Sequence, residues 1–548
     1  MAAAAFLLLG VLSCAPDAGR PAREPDPLGA YVEQTAQGSR PPLPVVAAFD
    51  GLGEGFVGPQ GAWAGRNPSD NSLAVGPDHV VQTVNSTLAI FDKAGRVLYG
   101  PVPTNTVFHG FGGSCEARNN GDAVVRYDQL AGRWLVVMPL FRRAAARPDQ
   151  PEEWTAAGGV YLSPPGVAGQ PGEPAPLFVP PPAAEPTPDT RRPPGGAPPP
   201  QETGPWSMCY AISTGSDPMG PYHRYEFLRP LFPDYPRPAV WPDGYYVPTS
   251  TGDDVIQKHV CVVDRAALLA GAPATEQCVV VDGVNFLNNA DLDGQALPPA
   301  GAPNPVLATG GTQLHGVFGD DALYAWRFHV DWDDPSATRL DGPDTLRVAP
   351  YRYLCDGQLT NCVRQPGTDR HLDAQGDKLM ARVVYRNVDG AQRIAAVHSV
   401  ATRAGGGGVR WYELEVAADG SLSLRQQGTY APDGFYRWLG SPALDARGNL
   451  AVGYSFGGTP HYPGQRFAAR LQGDPLGVLT FQETVLVEGE GSQTGTLRWE
   501  DYTQTAIDPV DDCTIWYVGD WLKAGAEAYS TRIGAFRLPG CDGPPGGR

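Results

Sequence analysis

A short strand opening on polar residues, then a turn carrying Asp and Gly, then a strand dense in aromatic and β-branched residues recurs seven times along the chain. The copies open at Asp70 (DNSLAVGPDHVVQTV), Gly121 (GDAVVRYDQLAGRWLVV), Tyr235 (YPRPAVWPDGYYVPT), Gly311 (GTQLHGVFGDDALYAW), Gly376 (GDKLMARVVYRNVDG), Gly440 (GSPALDARGNLAVGYS) and Glu500 (EDYTQTAIDPVDDCTIWYV). All but one of the steps between them span 51 to 76 residues, room for a four-stranded sheet of about 40 to 50 residues with decorations. The pattern predicts an all-β fold, a single β-propeller with seven blades; long amphipathic helical patterns are scarce. Two β-sandwiches in tandem would also read as many short strands with turns between them. The propeller is preferred because the repeat runs through the whole chain with no second linker after Pro205.

The oversized step holds residues 145–205, which include the run EPAPLFVPPPAAEPTPDTRRPPGGAPPP. So much Pro removes ladder donors and excludes helix and central strand, so a disordered, solvated loop projecting from one face is expected, with a ligand-gating role as the alternative. Residues 1–13 (MAAAAFLLLGVLS) are too short an apolar run to span a bilayer and read as an export signal. Val11-Leu12-Ser13-Cys14 looks like a bacterial lipobox that would lipidate Cys14, although Leu12 departs from the pattern and no Lys or Arg precedes the run. Plain secretion with Cys14 unused stays open beside lipid anchoring in the cell envelope. Residues 14–44 are expected to be a flexible tether, 45–541 the propeller and 542–548 a tail.

Composition sharpens this picture. Gly 68 and Pro 57 in 548 residues favour many tight turns, and 42% hydrophobic residues are enough for a large core. A net charge of -18 excludes nucleic acid as the expected partner and leaves membrane contact to a lipid anchor alone; a monomer is expected. Setting Cys14 aside, eight cysteines remain, an even set that an oxidising compartment would pair. Proximity suggests Cys261 with Cys278, Cys355 with Cys362 and Cys513 with Cys541, leaving Cys115 with Cys209; the alternative, zinc, lacks any Cys-x2-Cys or His-x3-His spacing.

The strings RWYELE from Arg410, GTYAPDG from Gly428, RWLGSPALDARGNLAVGYS from Arg437, RWEDYTQTAIDPVDDCTIWYVGDW from Arg498 and TRIGAFRLPGC from Thr531 resemble a widespread, uncharacterised family of secreted bacterial β-propeller proteins. DAVVRYDQLAGRW from Asp122, DPMGPYHRYEF from Asp217 and FPDYPRPAVWPDGYYV from Phe232 are similar to the same family, so the resemblance covers nearly the whole chain. It implies the fold and export, and no established reaction. SPALDARGNLAV from Ser441 is more loosely similar to the Asp boxes of sialidase-like propellers, where Asp445 would accept backbone N–H groups and Gly448 would take a positive φ. Such a box is a turn device without chemistry of its own.

In a propeller the residues opening the innermost strands converge on one end of a central channel. This nominates Asp122, Arg237, His315, Asp377, Arg437, Trp438, Arg498, Trp499, Glu500 and Asp501. Arg437-Trp438 and Arg498-Trp499 each set a guanidinium beside an indole, suited to a sugar face or a carboxylate, while stacking at blade junctions is the structural alternative. Glycoside hydrolysis needs two carboxylates flanking a cleft, for which Asp122, Glu500 and Asp501 are the candidates. A sialidase-like site would place Arg237, Arg437 and Arg498 on a substrate carboxylate and Tyr502 as nucleophile. No Gly-x-Ser-x-Gly elbow supports serine hydrolysis, and His371 and His398 read as ordinary strand or surface residues. No cofactor is expected, apart from structural calcium at the acidic turns Asp291-LDG, Asp331-WDDP or Asp508-PVDD, each of which also reads as a plain turn. The sequence thus points to a binding or scaffold module for an extracellular glycan, peptide or surface polymer, with a polysaccharide hydrolase or lyase as the competing reading.

Overall fold

The computed structural model describes residues 29–141, 206–229, 233–249, 258–311, 313–314, 316–357 and 361–541, together with the backbone of the short strands Thr155–Ala157, Val160–Leu162 and Ala175–Pro176. The expected export signal, Cys14, His315, the tail 542–548 and most of the Pro-rich insertion lie outside the described residues.

The chain builds one four-stranded antiparallel sheet after another. Ser72–Val75, His79–Val84, Thr87–Asp92 and Val97–Pro103 form one such sheet in that order, from inner to outer strand. The innermost strands of successive sheets are Ser72–Val75, Val124–Asp128, Ala239–Trp241, Asn288–Leu292, Val383–Val388, Tyr436–Leu444 and Gln504–Ile507. Each adjoins the next, and the last returns to the first, so the sheets close around an axis as a β-propeller. Asn288–Leu292 and Val383–Val388 pair in parallel, which joins two of the sheets edge to edge. The ring is locked by the N-terminal strand Val45–Gly53, which adds to Ser530–Arg537 as the outer strand of the C-terminal sheet, with Phe49 opposite Ile533.

Burial explains why the strands carry so little alternation. His79–Val84 and most of Thr87–Asp92 are buried on both faces, because each sheet is covered by a neighbour on either side. The outer strand Arg339–Arg347 is mostly exposed. The core is correspondingly a series of layers between sheets. Leu73, Val80 and Phe91 pack with Trp516, Val518 and Ile533, and Leu135, Val137 and Tyr210 with Val240, Tyr245 and Val263. Turns inside the sheets are held by aspartates: Asp445 accepts the backbone N–H groups of Arg447 and Asn449 at 2.9 and 3.0 Å, with Gly448 at φ 73°.

Four disulfides join Cys115–Cys209, Cys261–Cys278, Cys355–Cys362 and Cys513–Cys541, the pairs expected from the sequence, and they fit an oxidising environment. With Cys261 and Cys278 bonded to each other, neither supplies the thiolate that zinc would need. No helix among the described residues is long and apolar enough to cross a membrane.

Two segments differ from a plain loop and tether. The insertion leaves after Arg133–Leu140 and rejoins at Trp206–Ser213; within it Val160–Leu162 and Ala175–Pro176 pair with Glu276–Val281 and Pro221–Arg229. Ala175–Pro176 is the edge strand of its sheet, where a missing proline donor is tolerated. Residues 29–44, assigned to the tether, run along the body: Glu33 and Gln34 pair with Thr429 and Tyr430, Arg40 pairs with Asp474 at 2.7 Å, and Gln34 bonds Leu479 in both directions.

Candidate functional site

The inner strands and the segments leading into them share a backbone peculiarity. Asp70, Asp122, Tyr235, Gln375, Leu439, Glu500 and Asp501 all have positive φ, between 45° and 73°, a conformation that non-glycine residues adopt rarely and at some energetic cost. Each turns the chain sharply into the channel wall, and several thereby aim polar side chains across one mouth.

Three carboxyls meet there. Asp122 lies within hydrogen-bond reach of both Asp70 and Asp234, and Asp501 is close enough to act on all three. Burial holds Asp70, Asp122 and Asp234 well above the usual carboxylate range, and their mutual charge adds to this. Asp70 forms the floor at 1% exposure and accepts from Asn85 at 2.6 Å, while Asp122 and Asp234 are half-buried.

Beside them, Arg498 bridges Asp501 and, at 3.1 Å, Asp373. Burial and the charge of Asp501 push Asp373 up to about 7 against the pull of Arg498. Gln375 donates to Asp501 at 3.3 Å and accepts from Lys378, which also pairs with Asp377 at 3.4 Å.

The opposite wall is aromatic and cationic. Tyr235 and Tyr502 stack with ring centroids 4.5 Å apart. The Arg237 guanidinium lies 4.6 Å from the Tyr235 ring and 5.3 Å from Phe286, and Lys378 and Lys258 approach Phe286 to 4.2 and 5.8 Å. Arg237 is 3% exposed, and the groups that accept from it are the backbone carbonyls of Leu287 and Tyr235. Burial lowers its pKa to about 10. Among the described residues its Nη2 and the Tyr502 hydroxyl have no hydrogen-bond partner, although Tyr502 is only 2% exposed and is close enough to Asp70, Asp122 and Asp501 for their charges to raise its pKa further.

Deeper in the channel, a small recess of about 20 Å³ is crossed by the ion pairs Arg126–Asp291 at 3.1 Å, Arg382–Asp291 at 3.0 Å and Arg382–Asp293 at 2.5 Å. Asp291 also accepts from the Val240 amide at 2.8 Å, so its oxygens are engaged. The other acidic turns are likewise occupied: Asp331 accepts the amides of Asp333 and Asp334, and Asp508 pairs with Lys93 at 2.7 Å.

The nominated residues therefore divide. Asp122, Asp501, Arg498, Arg237 and Tyr502 come together at the mouth, with Asp377 beside Lys378. Trp438 and Trp499 are 0% exposed, their centroids 6.3 Å apart, with Trp499 donating to Ser455 at 2.9 Å, so neither presents a face to a ligand. Arg437 is buried and bonded to Asp433 at 2.8 and 2.9 Å and to Glu483 at 2.7 and 3.1 Å. Glu500 is buried and accepts from Ser455 at 2.6 Å, Gln465 at 2.7 Å and the Asp520 amide. His398 is a buried strand residue bonded to Tyr412 at 2.9 Å. Asp70, Asp234, Tyr235, Phe286 and Lys378 were not nominated. The available signal was an acid two or three residues ahead of an inner strand, which Asp70 shares with Asp122 and Asp501.

No family model and no curated protein matches the chain. Among solved structures, it is similar to a protein of unknown function from Dyadobacter fermentans, with 10% identity over 91% of this chain and 100% of that one and a TM-score of 0.34. An ulvan lyase described as a new polysaccharide lyase family aligns at 10% identity over 92% and 94% of the two chains, TM-score 0.37. A neuraminidase-like protein of A/little yellow-shouldered bat/Guatemala aligns at 8% identity over 75% and 96%, TM-score 0.31. At these values no residue role and no activity is carried over to this chain.

Proposed function

We propose that the protein is an exported, seven-bladed β-propeller that binds an uncharged, hydroxyl-rich extracellular ligand, a glycan, at the mouth lined by Asp122, Asp234, Asp501, Arg237 and Tyr502. The observation that carries this reading is the pair of buried donors, Arg237 Nη2 and the Tyr502 hydroxyl, left without partners beside half-buried carboxyls. Buried polar atoms of a folded protein are nearly always bonded, and a sugar ring supplies both donors and acceptors to such a floor.

Carboxyls (Asp70, Asp122, Asp234, Asp373, Asp377 and Asp501) and cations (Arg237, Lys258, Lys378 and Arg498) stand side by side at the mouth, a mixed set of hydrogen-bonding groups suited to a hydroxyl-rich ligand. The stacked tyrosines add an apolar surface of the kind that sugar C–H faces pack against. Attachment to the envelope through Cys14, or free secretion, places such a monomeric module where extracellular glycans are found.

A glycan array probed with the intact protein tests the reading. Retention of neutral oligosaccharides is expected, and Tyr502→Phe or Asp234→Asn should each weaken it about tenfold or more, the equivalent of about 1.4 kcal/mol. Wild-type retention by both variants would remove the mouth as the site.

A further inference from the structure

We infer that the Cys355–Cys362 disulfide is a thiol-sensitive clasp, whose reduction by a dithiol frees the segment carrying Asp373, Gln375 and Asp377 and lowers the affinity of the mouth for its glycan. The inference rests on the binding reading above and adds regulation to it.

The four bridges differ in access. Cys115, Cys209, Cys261, Cys278, Cys513 and Cys541 are at most 1% exposed, and Cys261 and Cys278 lie opposite each other on paired strands of one sheet. Cys355 and Cys362 are only partly buried, next to the exposed residues Asp356 and Asn361. A thiolate must reach a sulfur to break the bond, so this bridge reacts ahead of the others. It also lies outside the blades, because Asn361–Val363 and Leu372–Asp373 form a two-stranded sheet of their own. So small a hairpin has little stability alone.

The clasp is tied to the mouth at both ends. Asn361 pairs with Asp373 and Val363 with Leu372, which puts Cys362 on the strand opposite Asp373. Asp373 holds Arg498 at 3.1 Å and accepts from the Trp499 amide at 3.0 Å, and Arg498 in turn holds Asp501. At the other end no Cβ would fit on Gly376, because the Leu354 backbone next to Cys355 lies against it, and a Cβ on Gly357 would sit 3.9 Å from that of Asp377. The bond therefore fixes the chain from Asp373 to Asp377 from two sides. With the bond cut, the hairpin keeps only its short ladder, and Asp373 is less firmly set against Arg498.

The exchange balances with one dithiol. Its thiolate attacks one of the two sulfurs, the S–S bond breaks, and the other cysteine leaves as a thiolate. The second thiol of the reagent then closes on the mixed disulfide and releases the first cysteine. Two electrons and two protons pass to the protein, which ends with two thiols, and the dithiol ends as a disulfide.

The test treats the intact, folded protein with dithiothreitol, alkylates the freed thiols, locates them by peptide mass spectrometry and measures retention on the glycan array in parallel. Cys355 and Cys362 are expected to be alkylated while the other three bridges stay closed, a sign that the blades remain folded. Retention should fall about fivefold or more and return on reoxidation. The double variant Cys355→Ser, Cys362→Ser should show the low retention without any reagent and no response to it; if it does not fold, the reversible reduction of wild type decides. Reduction of a buried bridge ahead of Cys355–Cys362, or retention unchanged once both are alkylated, overturns the clasp and leaves binding intact. No retention of any glycan by the oxidised protein is instead the failure of the binding reading, and removes the clasp with it.

Discussion

Glu500 and Asp501 are neighbours in the chain, both with positive φ, yet their side chains take different partners. Glu500 turns inward to a knot where Ser455, Gln465 and the Asp520 amide donate to it, and Asp520 in turn accepts from Asn71. Asp501 turns to the mouth, where its surroundings are Arg498 and three other carboxyls. A buried acid saturated by N–H and O–H donors is part of the frame. An acid held by Arg498 and Gln375 beside three other carboxyls, near donors that bond no described residue, is poised for something else to bind. The buried arginines repeat the contrast: Arg437 is clasped by Asp433 and Glu483, whereas Arg237 has only carbonyls and ring faces.

The comparison can be broken by stability measurements. The largest effect is expected from Glu500→Ala, which leaves the Ser455 hydroxyl and the Asp520 amide without their acceptor and should cost about 3 kcal/mol or more in urea unfolding. A cost below about 1 kcal/mol would show that the knot is not part of the frame.

A smaller effect concerns pH. Burial raises Asp520 to about 8 in the folded protein, from 3.8 in an unperturbed chain. The folded state therefore holds this proton more tightly than the unfolded one. The resulting stability is full below about pH 4 and is lost as pH rises toward 8. Asp520→Asn, which cannot ionise, should show a shallower fall in Tm between pH 5 and 8 than wild type; equal slopes would place the titration elsewhere.

The smallest effect belongs to the mouth. Tyr502→Phe removes a hydroxyl that bonds nothing, so its unfolding free energy should stay within about 0.5 kcal/mol of wild type even as glycan retention falls. A loss of 2 kcal/mol would mean that the hydroxyl is structural.

Much of the frame was legible before any coordinates. Asp-Gly turns followed by aromatic strands mark the inner strands, because each sheet must turn tightly and bury both faces. Cysteine spacing indicated the four bridges. The site was legible only in part. Asp122, Arg237, Arg498, Asp501 and Tyr502 were found through their positions ahead of inner strands. Trp438 and Trp499 were grouped with them, since sequence distance from a strand start does not say which way a side chain points.

The order of the residues alone determined that this chain forms short strands stacked into many sheets and carries an even set of cysteines that pair as disulfides, since turn chemistry and hydrophobic pattern act over a few neighbouring positions. Only closure of the ring decided that Asp70, Asp122 and Asp234 meet, and that Glu500 and Asp501 take different partners. Those outcomes depend on contacts between residues tens of positions or more apart, and no local rule encodes them.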